Sequence, residues 1–162
     1  MDKLVDLEEL KTIVAREKSA GRKVVFANGV FDILHVGHIR YLKGAKELGD
    51  ILVVAVNSDS SVKAYKGEDR PHTPERERLE ILSSLDMIDY MVLFSEPDVK
   101  RLLLELRPDI QAKGTDYTED SVPERDVVAS YGGRVAIVGD PKDHSSTEMI
   151  GKVRAGNDKA GK

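Results

Sequence analysis

The stretch Ile51–Val56, with the sequence ILVVAV, is the most apolar segment of this 162-residue chain. An apolar run without alternation is typical of a β-strand that is buried on both faces. Such a strand needs a layer of helices above it and another below it, and helical patterns flank this one along the chain. The run therefore predicts a parallel sheet that is covered by helices on both sides.

Strand patterns alternate with helical patterns along the rest of the sequence. We predict strands at 23–27, 51–56, 90–94, 110–113 and 135–138. We predict helices at 6–20, 38–48, 73–85, 95–107 and 123–131, and a final helix that starts near 145–146. This order predicts an α/β fold with a doubly wound, parallel, five-stranded sheet, which binds its ligands at the carboxyl ends of the strands.

Several of the predicted helix ends have recognisable capping signals. Asp6 is an N-cap for the first helix and Gly21 is its stop. Pro74 suits the first position of the third helix, and Ser95 with Asp98 resembles a capping box. We expect one domain over 1–153, with an N-terminal helix within 1–21, and a polar, disordered tail over 154–162.

Composition excludes several classes of protein. The chain has no cysteine, which excludes disulfide scaffolds, thiolate zinc sites and thiol catalysis and fits a reducing cytoplasm. No apolar run approaches the length of a membrane span, and the polar N-terminus does not resemble a signal peptide. The net charge of −4 argues against nucleic acid or anionic lipid as a partner, so any anion site must be local.

Two of the four histidines, His35 and His38, follow the first predicted strand directly. Residues three apart share a face of a helix, and a helix N-terminus attracts anions through its unpaired N–H groups. Because Gly29 and Gly37 allow close approach to the backbone, the pattern indicates a phosphate site with two imidazole donors. A metal pair without an evident third ligand and two structural histidines remain alternatives. The dinucleotide fingerprint G-x-G-x-x-G is absent here.

The segment 29–38, GVFDILHVGH, carries the pattern G-x-F-D-x-x-H-x-G-H. This pattern resembles the HxGH signature of the cytidylyltransferase-like nucleotidyltransferases, and the similarity extends over about 22–151. It continues in 56–59 (VNSD), 66–67 (KG), 70–71 (RP), Arg78, 113–117 (KGTDY) and 145–147 (SST). Within the family, the set resembles the adenylyltransferase domains of bacterial ADP-heptose synthases. Those domains are often fused behind a sugar kinase, for which this chain has no room, so we expect the stand-alone form.

The resemblance implies a Rossmann-like fold and a reaction in which a sugar phosphate attacks the α-phosphate of ATP. It implies heptose 1-phosphate as the acceptor, Mg²⁺ brought with ATP, no metal held by the protein alone, and a cytoplasmic homodimer. The implied catalytic residues are His35, His38 and Lys66. The implied nucleotide-binding residues are Gly29, Val30, Phe31, Gly37, Asn57, Asp59, Arg78, Lys113, Gly114, Asp116, Tyr117, Ser145, Ser146 and Thr147. The implied sugar-phosphate contacts are Asn28 and Asp32.

Each of these roles has a simpler alternative. Lys66 lies in a polar stretch, KAYKGEDR, where a solvated loop lysine is common. Asp32 can hold a histidine tautomer, orient a donor or simply close a turn. Arg78 can form ion pairs within its own helix. Asn57 can form an Asx-turn, and Ser145 can act only as an N-cap.

Two alternative functions also remain at this stage. Related glycerol-phosphate cytidylyltransferases carry an arginine just before the final Ser/Thr cluster, whereas 139–144 reads GDPKDH. This difference disfavours the first alternative, a cytidylyltransferase that acts on glycerol 3-phosphate or another phosphorylated alcohol, although the HxGH core does not separate ATP from CTP. An inactive nucleotide-binding partner of a sugar kinase is the alternative of another class. Loss of an HxGH histidine would indicate it, and both histidines are present.

Overall fold

The computed structural model describes residues 2–140, and they form an α/β fold around one five-stranded sheet. All strand pairs are parallel, and the order across the sheet is β3-β2-β1-β4-β5. The strands are β1 Val24–Gly29, β2 Ile51–Asn57, β3 Tyr90–Phe94, β4 Ile110–Lys113 and β5 Arg134–Ile137. The predicted doubly wound, parallel, five-stranded sheet is therefore confirmed.

Helices cover both faces of this sheet. They are α1 Leu7–Ser19, α2 Val36–Glu47, α3 Asp59–Lys66, α4 Glu75–Ser83, α5 Lys100–Leu106 and α6 Arg125–Ser130, with a short 3₁₀ turn at Glu119–Ser121. Side chains of α1, α5 and α6 pack into one apolar layer, and side chains of α2 and α4 pack into the other. Alternate residues of β1 enter the two layers in turn, with Phe26 in the first and Ala27 in the second. This is why the central strands are apolar throughout.

The point where the chain changes direction across the sheet lies between β1 and β4. The connection from β1 to β2 runs over one face through α2, and the connection from β4 to β5 runs over the other face through α6. The two connections leave the carboxyl ends of neighbouring strands on opposite sides. A crevice therefore opens at this edge, which is where open α/β sheets bind ligands.

The predicted helix ends agree with the structure in part. Asp6 caps α1, because its carboxylate accepts a hydrogen bond of 2.8 Å from the Glu9 N–H. Pro74 lies at the N-cap of α4, one position earlier than predicted. The predicted capping box before α5 was wrong, because that helix begins only at Lys100. The Ser95 hydroxyl instead pairs with a hydroxyl on the neighbouring strand connection, which removes it from any capping role.

The helix α3 was not predicted, and its sequence explains why. The segment DSSVKAYK is mostly polar, and only Ser61 and Val62 are buried, so it has no apolar stripe. Ser58 caps the helix by accepting a hydrogen bond from the Ser61 N–H, and Gly67 ends it with a φ of 105°. Lys66 is therefore the last residue of a helix and does not belong to a loop.

Two predictions concern segments outside the described residues. These are the final helix near 145–146 and the disordered tail over 154–162, so the domain limits stay a prediction. Within 2–140, no helix combines the length and the apolar character that a membrane crossing requires.

Candidate active site

A cleft of about 1080 Å³ opens at the carboxyl edge of the sheet, where the crossovers diverge. Most of the residues that the sequence pointed to line it. They are Asn28, Gly29, Val30, Phe31, Asp32, His35, Gly37, His38, Asn57, Lys66, Lys113, Gly114, Asp116 and Tyr117. The fold thus brings the ends of β1, β2 and β4 and the start of α2 around one space.

The side chains of the two histidines cap the N-terminus of α2 and lie against each other. His35 is the N-cap, and its Nδ1 accepts a hydrogen bond of 3.0 Å from the Gly37 N–H. The Nδ1 of His38 accepts one of 3.2 Å from the His35 N–H, and the two ring centroids lie 4.0 Å apart. A ring nitrogen that accepts a hydrogen bond carries no proton, so each ring has its proton on Nε2. Both imidazoles are therefore fixed in the tautomer that donates from Nε2.

His38 is held in its neutral form. Burial, followed by the charges of the neighbouring His35 and Lys66, lowers its pKa to about 4. Phe31 packs beside the His38 ring at 5.7 Å, and a Cβ at Gly29 would approach the Phe31 ring to 3.1 Å. The pattern G-x-F therefore has a packing reason here, because it allows the phenyl ring to support the imidazole.

Asp32 ties the segment that follows α3 to the end of β1. The side chain is almost fully buried, and its carboxylate accepts hydrogen bonds from Arg70 Nε (2.9 Å), His72 N (2.9 Å) and Thr73 N (2.8 Å). Burial acts to raise the pKa of Asp32, but these hydrogen bonds outweigh it and lower the pKa overall. These partners lie 38 to 41 positions along the chain, so the alternative that Asp32 only closes a turn is wrong. The geometry instead agrees with the alternative that Asp32 orients a donor, and its sugar-phosphate role stays a prediction.

Positive groups gather on the same side of the cleft as the histidines. Arg70, which we had not assigned to the site, lines it, and its Nη2 is buried without a hydrogen-bond partner among residues 2–140. Lys66 lies at the cleft edge, and partial burial, followed by the charge of Arg70, lowers its pKa. A chain with a net charge of −4 thus has positive side chains gathered locally around this cleft.

Arg78 is placed differently from its predicted role as a nucleotide contact. Its side chain is fully buried and donates to the carbonyl oxygens of Thr73 (2.9 Å), Val30 (2.7 Å) and Asn57 (2.7 Å) and to the Asp59 carboxylate (2.9 Å). Neither Arg78 nor Asp59 lines the cleft. Arg78 is therefore a structural clamp that joins α4 to the ends of β1 and β2. The hydrogen-bond partners of Arg78 lie outside α4, which contradicts the alternative that Arg78 forms ion pairs within its own helix.

The end of β4 forms the opposite wall of the cleft. Lys113 Nζ lies 4.6 Å from the centroid of the Tyr117 ring, in cation–π contact. Burial lowers the pKa of Lys113, while the carboxylates of Glu124 and Asp116 act to raise it. Glu124 is a buried residue of this wall that we did not predict.

Sequence reasoning missed several residues that line the cleft, chiefly those that no motif surrounds. Arg70 is the exception, because it belongs to the segment 70–71 of the family resemblance, although the resemblance implied no role for it. Tyr65, Glu96 and Glu124 line the cleft from segments without a recognisable pattern. Tyr65 is 80% exposed, so it offers an aromatic face to whatever occupies this side.

Some predicted residues are not brought together by the described part of the chain. Ser145, Ser146 and Thr147 lie outside residues 2–140, as does His144, and the predicted roles of the first three stay predictions. His72 is exposed and does not line the cleft. Between residues 2 and 140, no group of three or more histidine, aspartate or glutamate side chains is arranged to hold a metal ion.

A parallel sheet with a crevice at its change of direction, two neutral imidazoles at a helix start and adjacent cations define the class of HxGH nucleotidyltransferases. The family model described as cytidylyltransferase-like matches residues 26–151. The chain belongs to the cytidylyltransferase-like family of nucleotidyltransferases.

The chain is also similar to curated proteins and to solved structures. It is 49% identical over 151 residues to the bifunctional protein HldE of Geobacter metallireducens. This alignment covers 93% of this chain and 31% of that protein. HldE of Geotalea uraniireducens is 46% identical over 155 residues and is covered to 32%. The chain thus spans about a third of the length of these relatives.

Among solved structures, a lipopolysaccharide core biosynthesis protein from Thermoplasma volcanium has a TM-score of 0.65 and 36% identity. The match covers 75% of this chain and 100% of that one. A pantoate-beta-alanine ligase from Francisella tularensis has a TM-score of 0.57 at 18% identity, which is a likeness of fold alone.

Proposed function

We propose that this chain is an adenylyltransferase that joins ATP and D-glycero-D-manno-heptose 1-phosphate into ADP-heptose and pyrophosphate, for the core of lipopolysaccharide. The observation that carries the proposal is the cluster of His35, His38, Lys66 and Arg70 around one cleft. The substrates rest on the resemblance to ADP-heptose synthase domains and on similarity to proteins named HldE.

The proposed reaction does not require the protein to form a covalent bond with a substrate. An oxygen of the sugar phosphate attacks the α-phosphorus of ATP, and the bond to the β-phosphate oxygen breaks as pyrophosphate leaves. The attacking oxygen is already anionic at neutral pH, so no base has to remove a proton. The protein must align two polyanions and stabilise the charge that develops on the transferred phosphate.

The cleft residues suit this task. The Nε2–H groups of His35 and His38 donate to phosphate oxygens, and their orientation is fixed in advance by the hydrogen bonds that each Nδ1 accepts. Lys66 and Arg70 add positive charge on the same side. Asp32 holds Arg70 in place through a 2.9 Å ion pair, so this donor does not have to be ordered when substrate binds.

Magnesium fits this site as part of the nucleotide. Residues 2–140 supply no cluster of three acidic or histidine ligands, whereas triphosphate oxygens and water are the ligands that Mg²⁺ prefers. When bound, the ion neutralises charge on the phosphates and helps to orient them.

Removal of magnesium is expected to abolish turnover without unfolding the protein. Excess chelator should reduce pyrophosphate release to the background rate, and added Mg²⁺ should restore it. Circular dichroism and the midpoint of thermal unfolding should stay unchanged, because the proposed ion is bound by the substrate. Unfolding on chelation would instead indicate a structural metal and revive the metal-pair alternative for His35 and His38.

The substrates are tested by a panel of pyrophosphate-release assays. ATP, CTP, GTP and UTP are each offered with heptose 1-phosphate and with glycerol 3-phosphate, and ATP with heptose 1-phosphate should react fastest. If CTP with glycerol 3-phosphate reacts faster, the assigned substrates are wrong, but the assignment of the reaction as nucleotidyl transfer is unaffected. Binding of ATP without turnover in any combination would favour the inactive partner of a sugar kinase.

We also propose that the enzyme is a homodimer in the cytoplasm. The dimer rests on the resemblance to dimeric relatives, and the cytoplasm is where ATP is supplied. Light scattering on the purified protein tests the first statement, and a monomer at micromolar concentration would contradict it.

A further inference from the structure

Glu124 is a buried carboxylate that the proposed reaction has not yet used. It is only 6% exposed, and it lines the cleft beside the end of β4. Its Oε2 is inaccessible and has no hydrogen-bond partner among residues 2–140. Burial of an uncompensated carboxylate is costly, so its presence in the wall of a binding cleft calls for a physical reason.

Structural roles do not supply that reason. Glu124 is the N-cap of α6, but its side chain makes no capping hydrogen bond. Lys113 is close enough for the two charges to affect each other, yet the Oε2 of Glu124 accepts no hydrogen bond from Lys113 or from any other described residue. Neither helix capping nor a salt bridge therefore explains the residue.

A second acceptor lies on the same side of the sheet. Phe26 of β1 packs in the layer of α1, α5 and α6, so the alternation along the strand places Asn28 on that side. Gln111 is the register partner of Phe26, which places Lys113, two positions further on, there as well. The Asn28 Oδ1 is also buried without a partner among the described residues. Two residues that line the cleft near the point where the crossovers diverge therefore each hold a buried acceptor oxygen without a partner in the described part of the chain.

The surroundings favour a flat base over a ribose as the occupant of this wall. Val122 is buried nearby in the layer that Tyr117 packs against. The phosphate-binding groups His38 and Lys66 extend from α2 and α3, on the other side of the cleft. A nucleotide whose phosphates lie there has its base at its far end, and a wall that combines the Tyr117 ring with a few acceptor oxygens suits a flat ring with one hydrogen-bonding edge.

We propose that Glu124 determines base specificity by accepting a hydrogen bond from the exocyclic amino group of the nucleotide base. The inference rests on the proposed nucleotide site and goes beyond it. A carboxylate only accepts hydrogen bonds. It pairs with the 6-amino group of adenine or the 4-amino group of cytosine and repels the carbonyl oxygen that hypoxanthine, guanine or uracil carries at the same position. Glu124 thus narrows the choice to bases with an amino group at that position but does not separate ATP from CTP.

The test compares ATP with ITP, in which a carbonyl replaces the 6-amino group. Dissociation constants are measured by calorimetry with Mg²⁺, and kcat/KM is measured by pyrophosphate release. The wild-type protein should prefer ATP by roughly tenfold to hundredfold. Glu124→Gln should reduce this preference to within about threefold, because an amide can turn to donate or accept. Glu119→Gln, an exposed change nearby, should keep the wild-type ratio.

Other results would overturn the inference. Equal binding of ATP and ITP to the wild-type protein contradicts it, as does equal weakening of both by Glu124→Gln. Glu124→Gln could also change the preference for ATP over 2′-deoxy-ATP while leaving the preference for ATP over ITP unchanged. That result would show that Glu124 contacts the ribose and not the base. Failure of ATP, CTP, GTP and UTP to bind the wild-type protein would instead remove the proposed function itself. If Glu124→Gln does not fold, Glu124→Asp serves as the second variant, and it should retain the preference for ATP with weaker binding.

Discussion

Replacement of His38 by asparagine is expected to lower kcat by roughly 10²–10³-fold, which corresponds to about 3–4 kcal/mol of transition-state stabilisation. The amide oxygen of asparagine can still accept the N–H of His35, so the helix start is retained. What the variant loses is the Nε2–H donor. Because that donor acts mainly on charge that develops during transfer, ATP binding should weaken much less than turnover falls. Single-turnover and steady-state pyrophosphate release, with calorimetry for ATP, separate the two effects.

His72→Ala is the matched control for this prediction. His72 is an exposed histidine whose side chain is outside the cleft, so its loss should leave kcat within about twofold. If His38→Asn keeps kcat within about threefold of the wild type, His38 is a structural cap and the assigned role is wrong.

The same variant has a readout in the pH dependence of stability. The pKa of His38 is about 4 in the folded protein and near 6.5 when unfolded, so the unfolded chain binds the proton more tightly. Its contribution to the free energy of unfolding is complete above about pH 6.5 and is lost as the pH falls toward 4. His38→Asn should remove this part of the acid sensitivity, which urea titrations at several pH values measure.

Replacement of Arg78 by methionine is expected to lower the free energy of unfolding by about 3–5 kcal/mol. Methionine retains much of the volume but removes the donors of four hydrogen bonds, which leaves three carbonyl oxygens and the Asp59 carboxylate without their partner. Equilibrium unfolding in urea measures the loss. Because Arg78 does not line the cleft, turnover of the folded fraction should fall far less than stability does.

Arg76→Met is the control for the arginine clamp. Arg76 lies on the same helix, two residues earlier, and is exposed, so its loss should change stability by less than about 0.5 kcal/mol. A loss below about 1 kcal/mol in Arg78→Met would contradict the clamp.

Much of the site was accessible from sequence because the phosphate motif is local. His35, Gly37 and His38 lie within one turn of chain, and their hydrogen bonds are set by a helix start that the sequence predicts. The resemblance then extended the site to Lys66 and the 113–117 segment, which do line the cleft. The predicted capping box at Ser95 was wrong, because the Ser95 hydroxyl is hydrogen-bonded to the hydroxyl of Ser58, 37 positions earlier in the chain.

The sequence by itself determined the sheet, since continuous apolar runs require burial on both faces, and it determined where the histidine pair lies, since a strand end joined to a helix start is a local arrangement. Only the tertiary structure decided which groups surround Arg78, Asp32 and Glu124. Arg78 bonds to Val30, 48 positions away, and Asp32 bonds to the Thr73 N–H, 41 positions away. Whether a charged side chain faces a ligand or another part of its own chain depends on which distant groups the fold brings beside it, and no local pattern of residues records that.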